Sequence, residues 1–274
     1  MVHTSIVDRI SPIGFSSDDG IKMCLYGRSG TGKTTLWATF PGPILAIISS
    51  GNEKPGELRS IDTPEYRKKI KQVVLNETQE LKELIAYLRS SKAFKTVVLD
   101  HATGLQDQVL KEVLGLEELP AQKSWGMARR EDYGVCTTQC KEYLRALLSL
   151  DANVVIVAQE RGFGGGDDTM SEIIAPSVGA GLMPSLAQWL HPTCDYVCQT
   201  YIREQTETKK IKIGSGKDAK THDKEVKTGN IEYVLRVKAD PVFISKFRVP
   251  RGTELPDAIV DPTYAKIAAL IRPE

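Results

Sequence analysis

The sequence predicts an α/β protein in which a mostly parallel sheet is flanked by helices, with a C-terminal antiparallel extension and a polar hairpin arm. Three observations predict it. Short apolar runs without alternation recur along the chain, as strands buried on both faces require. Segments with helical spacing of apolar residues separate them. Beyond residue 160 this alternation fades into two strand-like runs on either side of a polar insertion. Strands that alternate with helices form sheets covered on both faces.

The elements follow in order. Residues 1–20 are an N-terminal segment holding Pro12, Gly14 and the turn-forming run Ser16-Ser17-Asp18-Asp19-Gly20. A single domain is expected over residues 21–265. It opens with the apolar run Ile21 to Tyr26, a glycine-rich loop and a helical pattern to about Thr39, which Pro41-Gly42-Pro43 breaks. Ile44 to Ile48 reads as a buried strand. Residues 64–92 are charged, with Leu81, Leu84, Ile85 and Leu88 at helical spacing. Thr96 to Leu99 is a second buried strand that ends at Asp100, and Val154 to Ala158 is a third that ends at Gln159-Glu160. Leu105 to Leu114 and Val135 to Leu150 read as helices between them. Residues 162–168 are too rich in glycine to pack a core and are expected to be mobile. Asp195 to Arg203 and Ile231 to Val237 are strands flanking the insertion 204–230, a protruding, flexible arm, and residues 266–274 form a tail.

Composition excludes several classes. With 41% hydrophobic and 26% charged residues among 274, the chain is that of an ordinary globular protein. No apolar run approaches the roughly 18 residues that span a bilayer, and no signal peptide is recognisable, so no membrane partner is expected. Five cysteines spread over this length suggest no disulfide framework, and a reducing cytoplasm fits best. A net charge of +1 excludes nucleic-acid binding by bulk electrostatics and leaves only local basic segments for it.

The motif that carries chemistry is Gly27-Arg28-Ser29-Gly30-Thr31-Gly32-Lys33-Thr34, followed by Thr35. This is G-x-x-x-x-G-K-[ST] after an apolar strand and before a helix, the context that a phosphate-binding loop needs. The glycines let successive backbone N–H groups turn inward on phosphate oxygens, and the following helix adds its dipole. Lys33 is expected on the β- and γ-phosphates of ATP and the Thr34 hydroxyl on Mg²⁺. Asp100, at the end of its strand, is the expected second metal-site residue, with capping of the next helix as its plainer role. Glu53 follows the strand Ile44 to Ile48, where a resemblance to RecA-like ATPases implies the carboxylate that orients the attacking water, with Glu57 as competitor. Gln159 is placed to sense the γ-phosphate and to signal its loss to the loop that follows.

Together these segments resemble the RecA-like core, the fold of RecA, RadA and KaiC, over roughly residues 20–265. The features are Gly27 to Thr35, Asp100, Val155-Ile156-Val157-Ala158-Gln159-Glu160 before a glycine-rich loop, and Lys246-Phe247-Arg248. The chain looks most like the bacteriophage Sak-type single-strand annealing ATPases, which close with a strand bearing a Lys-x-Arg pair and a proline-containing tail, here Lys246-Phe247-Arg248-Val249-Pro250. The resemblance implies that Lys246 and Arg248 reach the nucleotide of a neighbouring subunit as fingers, within a ring or filament. It also implies that the loop after Gln159, with Arg161 and Phe163, faces single-stranded DNA.

A second basic-aromatic stretch, Lys123, Trp125, Arg129 and Arg130, is a further candidate for DNA contact, and the arm a third. The expected function is therefore an ATP-dependent, single-stranded-DNA-binding protein that promotes annealing, with a single-strand binding protein as a candidate partner. A KaiC-like regulatory ATP-binding module acting on a protein partner is the alternative. Cys136 and Cys140, and Cys194 and Cys198 near His191, lack structural zinc spacing and read as buried thiols. His101 is expected to make a local hydrogen bond, and Trp37 and Trp189 to serve packing.

Overall fold

A computed structural model describes residues 20–49, 56–116, 128–164, 177–213 and 220–272. The strands are β1 (Lys22–Gly27), β2 (Ile44–Ile48), β3 (Ile70–Val74), β4 (Thr96–Asp100), β5 (Asn153–Ala158), β6 (Glu160–Phe163), β7 (Ser177–Ala180), β8 (Tyr196–Ile213), β9 (Lys220–Arg236), β10 (Lys246–Phe247) and β11 (Ala258–Val260). The helices are α1 (Lys33–Ala38), α2 (Pro64–Lys69), α3 (Thr78–Ser91), α4 (Ala102–Leu114), α5 (Arg130–Leu148), α6 (Pro184–Thr193) and α7 (Tyr264–Ile271), with a 3₁₀ helix at Gly56–Ile61.

The main sheet runs β11-β9-β8-β1-β5-β4-β2-β3, with β10 paired to β8. From β3 through β8 every neighbouring pair is parallel, whereas β9, β10 and β11 pair antiparallel. Alternate residues of each central strand feed one of two cores. Cys24, Tyr26, Leu45, Ile47, Val97 and Leu99 pack against α3, α4, α5 and α6. Met23, Leu25, Ile44, Ala46, Ile48 and Val98 pack against α1 and α7 on the other face. Because both faces are covered, the strands carry no polar alternation, and this is why they were readable as continuous apolar runs.

Four elements differ from the sequence reading: β3, α4, α5 and α7. Residues 64–92 are not helical throughout: β3 interrupts them as the edge strand of the sheet. Its Lys71 and Gln72 are exposed, and such polar edges guard against intermolecular pairing while hiding the strand from a hydrophobicity reading. The helix α5 begins at Arg130 and α4 at Ala102, each ahead of the expected start. The expected hairpin arm is present as a two-stranded ladder, registered from Gln199↔Arg236 to Ile213↔Lys220 with a shift between Glu204 and Thr206. Arg203 pairs with Glu232 across it, and Lys227 Nζ lies 2.9 Å from Glu204, so the polar residues are cross-strand partners. Finally, residues 266–271 continue α7, which buries Ile267 in the core that holds α1, where a tail was expected from residue 266. Of the stretch expected to be mobile, residues 165–168 lie outside the described residues. Among the described residues no helix is long and apolar enough to cross a membrane.

Candidate functional site

The phosphate loop leaves the C-terminal end of β1, between β5 and β8. A side chain on Gly27 would sit 2.4 Å from the Thr200 carbonyl oxygen, so only glycine allows the loop to leave alongside β8. Gly32 adopts φ +87°, a left-handed conformation, as the residue before α1. A Gly32→Ala substitution therefore costs roughly 1–2 kcal/mol of stability, to be read as a lower urea midpoint.

Thr31 ties the loop down: its hydroxyl donates to the Arg28 carbonyl at 2.8 Å and lies 2.7 Å from the Thr200 hydroxyl. Lys33 Nζ donates to the carbonyls of Gly27 and Arg28, at 2.8 and 2.7 Å. Burial pulls the Lys33 ammonium pKa below its ordinary value, and the negative charges of Asp100 and Glu160 oppose that shift. Arg28, Ser29, Gly30 and Thr35 are exposed on the rim and Thr34 is half-buried.

Asp100 ends β4 with 5% of its surface exposed. Burial raises its carboxyl pKa; hydrogen bonding from Trp37, then the charges of His101 and Lys33, oppose the rise. Trp37 Nε1 donates to Asp100 Oδ2 at 3.1 Å from the fully buried indole of α1. Asp100 does not cap α4. That position belongs to His101, whose Nδ1 accepts from the Gly104 N–H at 2.9 Å, the local bond expected of it.

A cavity of about 610 Å³ gathers these groups. Ser29 through Leu36 form its floor, Asp100, His101 and Gln159 one side, and Tyr233 with Asp261, Pro262 and Thr263 another. Gln159 is held through its backbone: its N–H donates to the Thr103 hydroxyl at 3.3 Å and its carbonyl accepts from Gly181 at 2.6 Å. It lines the cavity. Ser60, from the 3₁₀ helix that includes Glu57, also reaches this space.

The residue after Gln159 connects the loop to the rest of the molecule. Glu160 Oε1 accepts from Arg28 Nε at 3.1 Å, and its Oε2 accepts from Gln199 Nε2 at 2.7 Å. Gln199 Oε1 accepts from Arg236 Nε at 3.0 Å. Arg236 pairs with Asp240 at 2.6 Å and lies between the rings of Tyr201 and Phe243, 5.0 and 4.5 Å from their centroids. A chain of bonded side chains thus runs from the phosphate loop through the start of β6 to β9.

The remaining predicted residues are distributed as follows. Lys246 and Arg248 stand away from this cavity, where β10 pairs with the first residues of β8. Lys246 Nζ donates to the carbonyls of Pro192 and Cys194, at 2.8 and 2.6 Å, and Arg248 pairs with Asp195 at 2.5 Å. Both point to the α6–β8 corner, on one side of the strand. Burial, then the charge of Arg248, lowers the Lys246 pKa. Arg161 lies 5.9 Å from the Phe163 ring on β6, which pairs with β7. Arg129 and Arg130 are exposed at the start of α5. Because α5 leads into parallel β5, its first turn lies at the same end of the sheet as the phosphate loop. Glu53, Lys123 and Trp125 lie outside the described residues. The five cysteines are free and buried.

Sequence reasoning missed three parts of this site. Trp37 packs as expected, but its bond to Asp100 carried no signal beyond its place four residues after Lys33, on the same helix face. Tyr233 alternates with Ile231 and Leu235, a signal for a shared strand face that was available but pointed nowhere without the sheet order. Asp261 to Thr263 carried no signal, since only the return of the chain beside α1 brings them to the cavity.

A family model described as an AAA domain matches residues 19–249. No curated protein matches the chain. Among solved structures, the flagellar accessory protein FlaH from Methanocaldococcus jannaschii aligns with a TM-score of 0.42 at 9% identity, over 89% of this chain and 87% of that one. The RadB recombinase aligns with a TM-score of 0.40 at 14% identity, over 79% of this chain and 87% of that one.

Proposed function

The chain belongs to the AAA domain family, and on that premise we propose that it is an ATPase of RecA-like type that assembles on single-stranded DNA and promotes strand annealing. The observation that carries this reading is the convergence of the phosphate loop, Asp100 and Gln159 on one cavity, with Gln159 leading directly into the β6–β7 hairpin.

In this reading the backbone of Ser29 to Thr35 and the Lys33 ammonium bind and orient the phosphates. The Thr34 hydroxyl and the Asp100 carboxylate are hard oxygen donors on adjoining elements, the donor set that suits Mg²⁺. When bound, Mg²⁺ neutralises charge on the phosphate oxygens. Glu53 or Glu57 orients the attacking water. Gln159 senses the γ-phosphate, and Glu160, bonded to Arg28, carries the change in the loop to β6 and its Arg161 and Phe163. Arg161, Phe163, Arg129, Arg130 and Lys123 supply the cationic and aromatic contacts to the strand. Lys246 and Arg248 act in trans on a neighbouring subunit's nucleotide, exchanging their contacts with the α6–β8 corner for phosphate oxygens.

The test is ATP turnover with and without single-stranded DNA. DNA is expected to stimulate turnover, Lys33→Ala and Arg248→Ala each to lose it, and mixing the two variants to restore part of it. Turnover indifferent to DNA, or no recovery on mixing, would remove the DNA-dependent and trans-acting parts respectively. A second reading, a regulatory ATP-binding module for a protein partner, draws on the exposed apolar residues Ile202 and Ile231 at the root of the arm, 48% and 60% exposed. It predicts partner capture that requires Ile231 and turnover that ignores DNA.

A further inference from the structure

We propose that Tyr233 with the segment Asp261-Pro262-Thr263 forms the subsite for the nucleoside half of the nucleotide, the base lying against the Tyr233 ring. This inference rests on the nucleotide-binding reading above and adds to it the position of the base.

The sheet order supplies the direction. Asp100 on β4 and Gln159 after β5 lie on one side of β1, whereas Tyr233 on β9 and Asp261 after β11 lie on the other. The phosphate loop springs from β1 between them. A nucleotide whose terminal phosphates meet Asp100 and Gln159 must therefore extend its base toward β9 and β11. The cavity continues in that direction, and its lining changes from carboxylate and amide groups to a tyrosine ring and a proline.

The subsite is built firmly. The Tyr233 ring lies over Gly32, with Cδ1 only 3.3 Å from where a β-carbon on that glycine would be. Yet Tyr233 remains 41% exposed, so it offers surface toward the cavity it lines. Its carbonyl accepts from the Asp261 N–H at 2.8 Å, which ties the opposing segment to the same strand. Asp261 takes φ +45°, and Lys266 Nζ donates to its carbonyl at 3.0 Å. One residue beyond Thr263, the Tyr264 N–H donates to the Thr39 hydroxyl at 2.8 Å and anchors the segment to the end of α1. An aromatic ring and a proline on adjoining segments beside a phosphate loop suit a planar base, which binds by stacking on the ring.

The experiment compares binding of ATP and of inorganic tripolyphosphate, which lacks the nucleoside, to the wild type and to Tyr233→Phe, Tyr233→Leu and Tyr233→Ala. Leucine keeps an apolar side chain over Gly32, and melting temperatures are measured alongside. The Leu and Ala variants are expected to lose about ten- to a hundredfold in ATP affinity, with tripolyphosphate affinity unchanged and Phe close to wild type. Equal losses for both ligands, or no loss for ATP, would overturn the subsite. So would a wild type that binds ATP no more tightly than tripolyphosphate. A wild type that binds neither ligand would overturn the nucleotide reading itself, and the subsite with it.

Discussion

Asp100→Asn is expected to melt higher than the wild type and to turn over ATP on the order of a thousandfold more slowly. The two effects share a cause. A carboxylate with 5% of its surface exposed is held against a desolvation penalty that Trp37, His101 and Lys33 only partly offset, so its pKa stands above the ordinary carboxyl range. The protonated form is the one the fold favours. Stability linked to this group is therefore fully present in acid, below the unfolded-state pKa, and is lost as pH rises through the raised folded-state value. Asparagine removes that loss while still accepting the Trp37 N–H. Melting curves of the two proteins should converge in acid and separate toward neutral pH. A variant that melts lower than the wild type at neutral pH would show that the charge stabilises the fold and was not retained at its expense. The turnover loss follows from removing an anionic donor where the proposed metal sits, and it should be accompanied by loss of the Mg²⁺ dependence of nucleotide binding.

Trp37 separates packing from positioning. Trp37→Ala empties a fully buried indole site and strips Asp100 of its hydrogen bond, and about 3–5 kcal/mol of destabilisation is expected. Trp37→Phe keeps most of the ring volume and removes only the N–H. Its cost should be about 1–3 kcal/mol, the penalty of a buried acceptor left without its donor. Nucleotide affinity in the presence of Mg²⁺ should fall about tenfold in the Phe variant, while affinity measured in chelator stays at the wild-type level. Equal loss with and without Mg²⁺ would mean that the indole supports the loop as a whole and does not orient Asp100.

The parts of the fold that depend on local chemistry were legible in the sequence. The buried strands announced themselves because a covered sheet requires apolar residues on both faces, and the loop glycines because no other residue fits beside Thr200 or at φ +87°. What was hidden depends on contacts distant in sequence. The strand β3 was masked by the polarity that protects a sheet edge. The arm was legible as a polar hairpin, but its register was not, because polar strands carry no hydrophobic period to fix their pairing. In the site, the loop and Asp100 were located from motif and strand end. Trp37, Tyr233 and Asp261 were not, because each acts through a partner far off in sequence or through a neighbouring strand.

The hairpin of β8 and β9 has its root beside the phosphate loop and its ladder paired out to Ile213↔Lys220. From Tyr233 to Lys220 the strand covers roughly 40 Å at about 3.3 Å per residue. Such a ribbon is a mechanical pointer. A tilt of about 5° at the root displaces the far end by roughly 3–4 Å over that length. A change too small to rearrange the floor of the cavity would thereby become a displacement the width of a side chain at the far end.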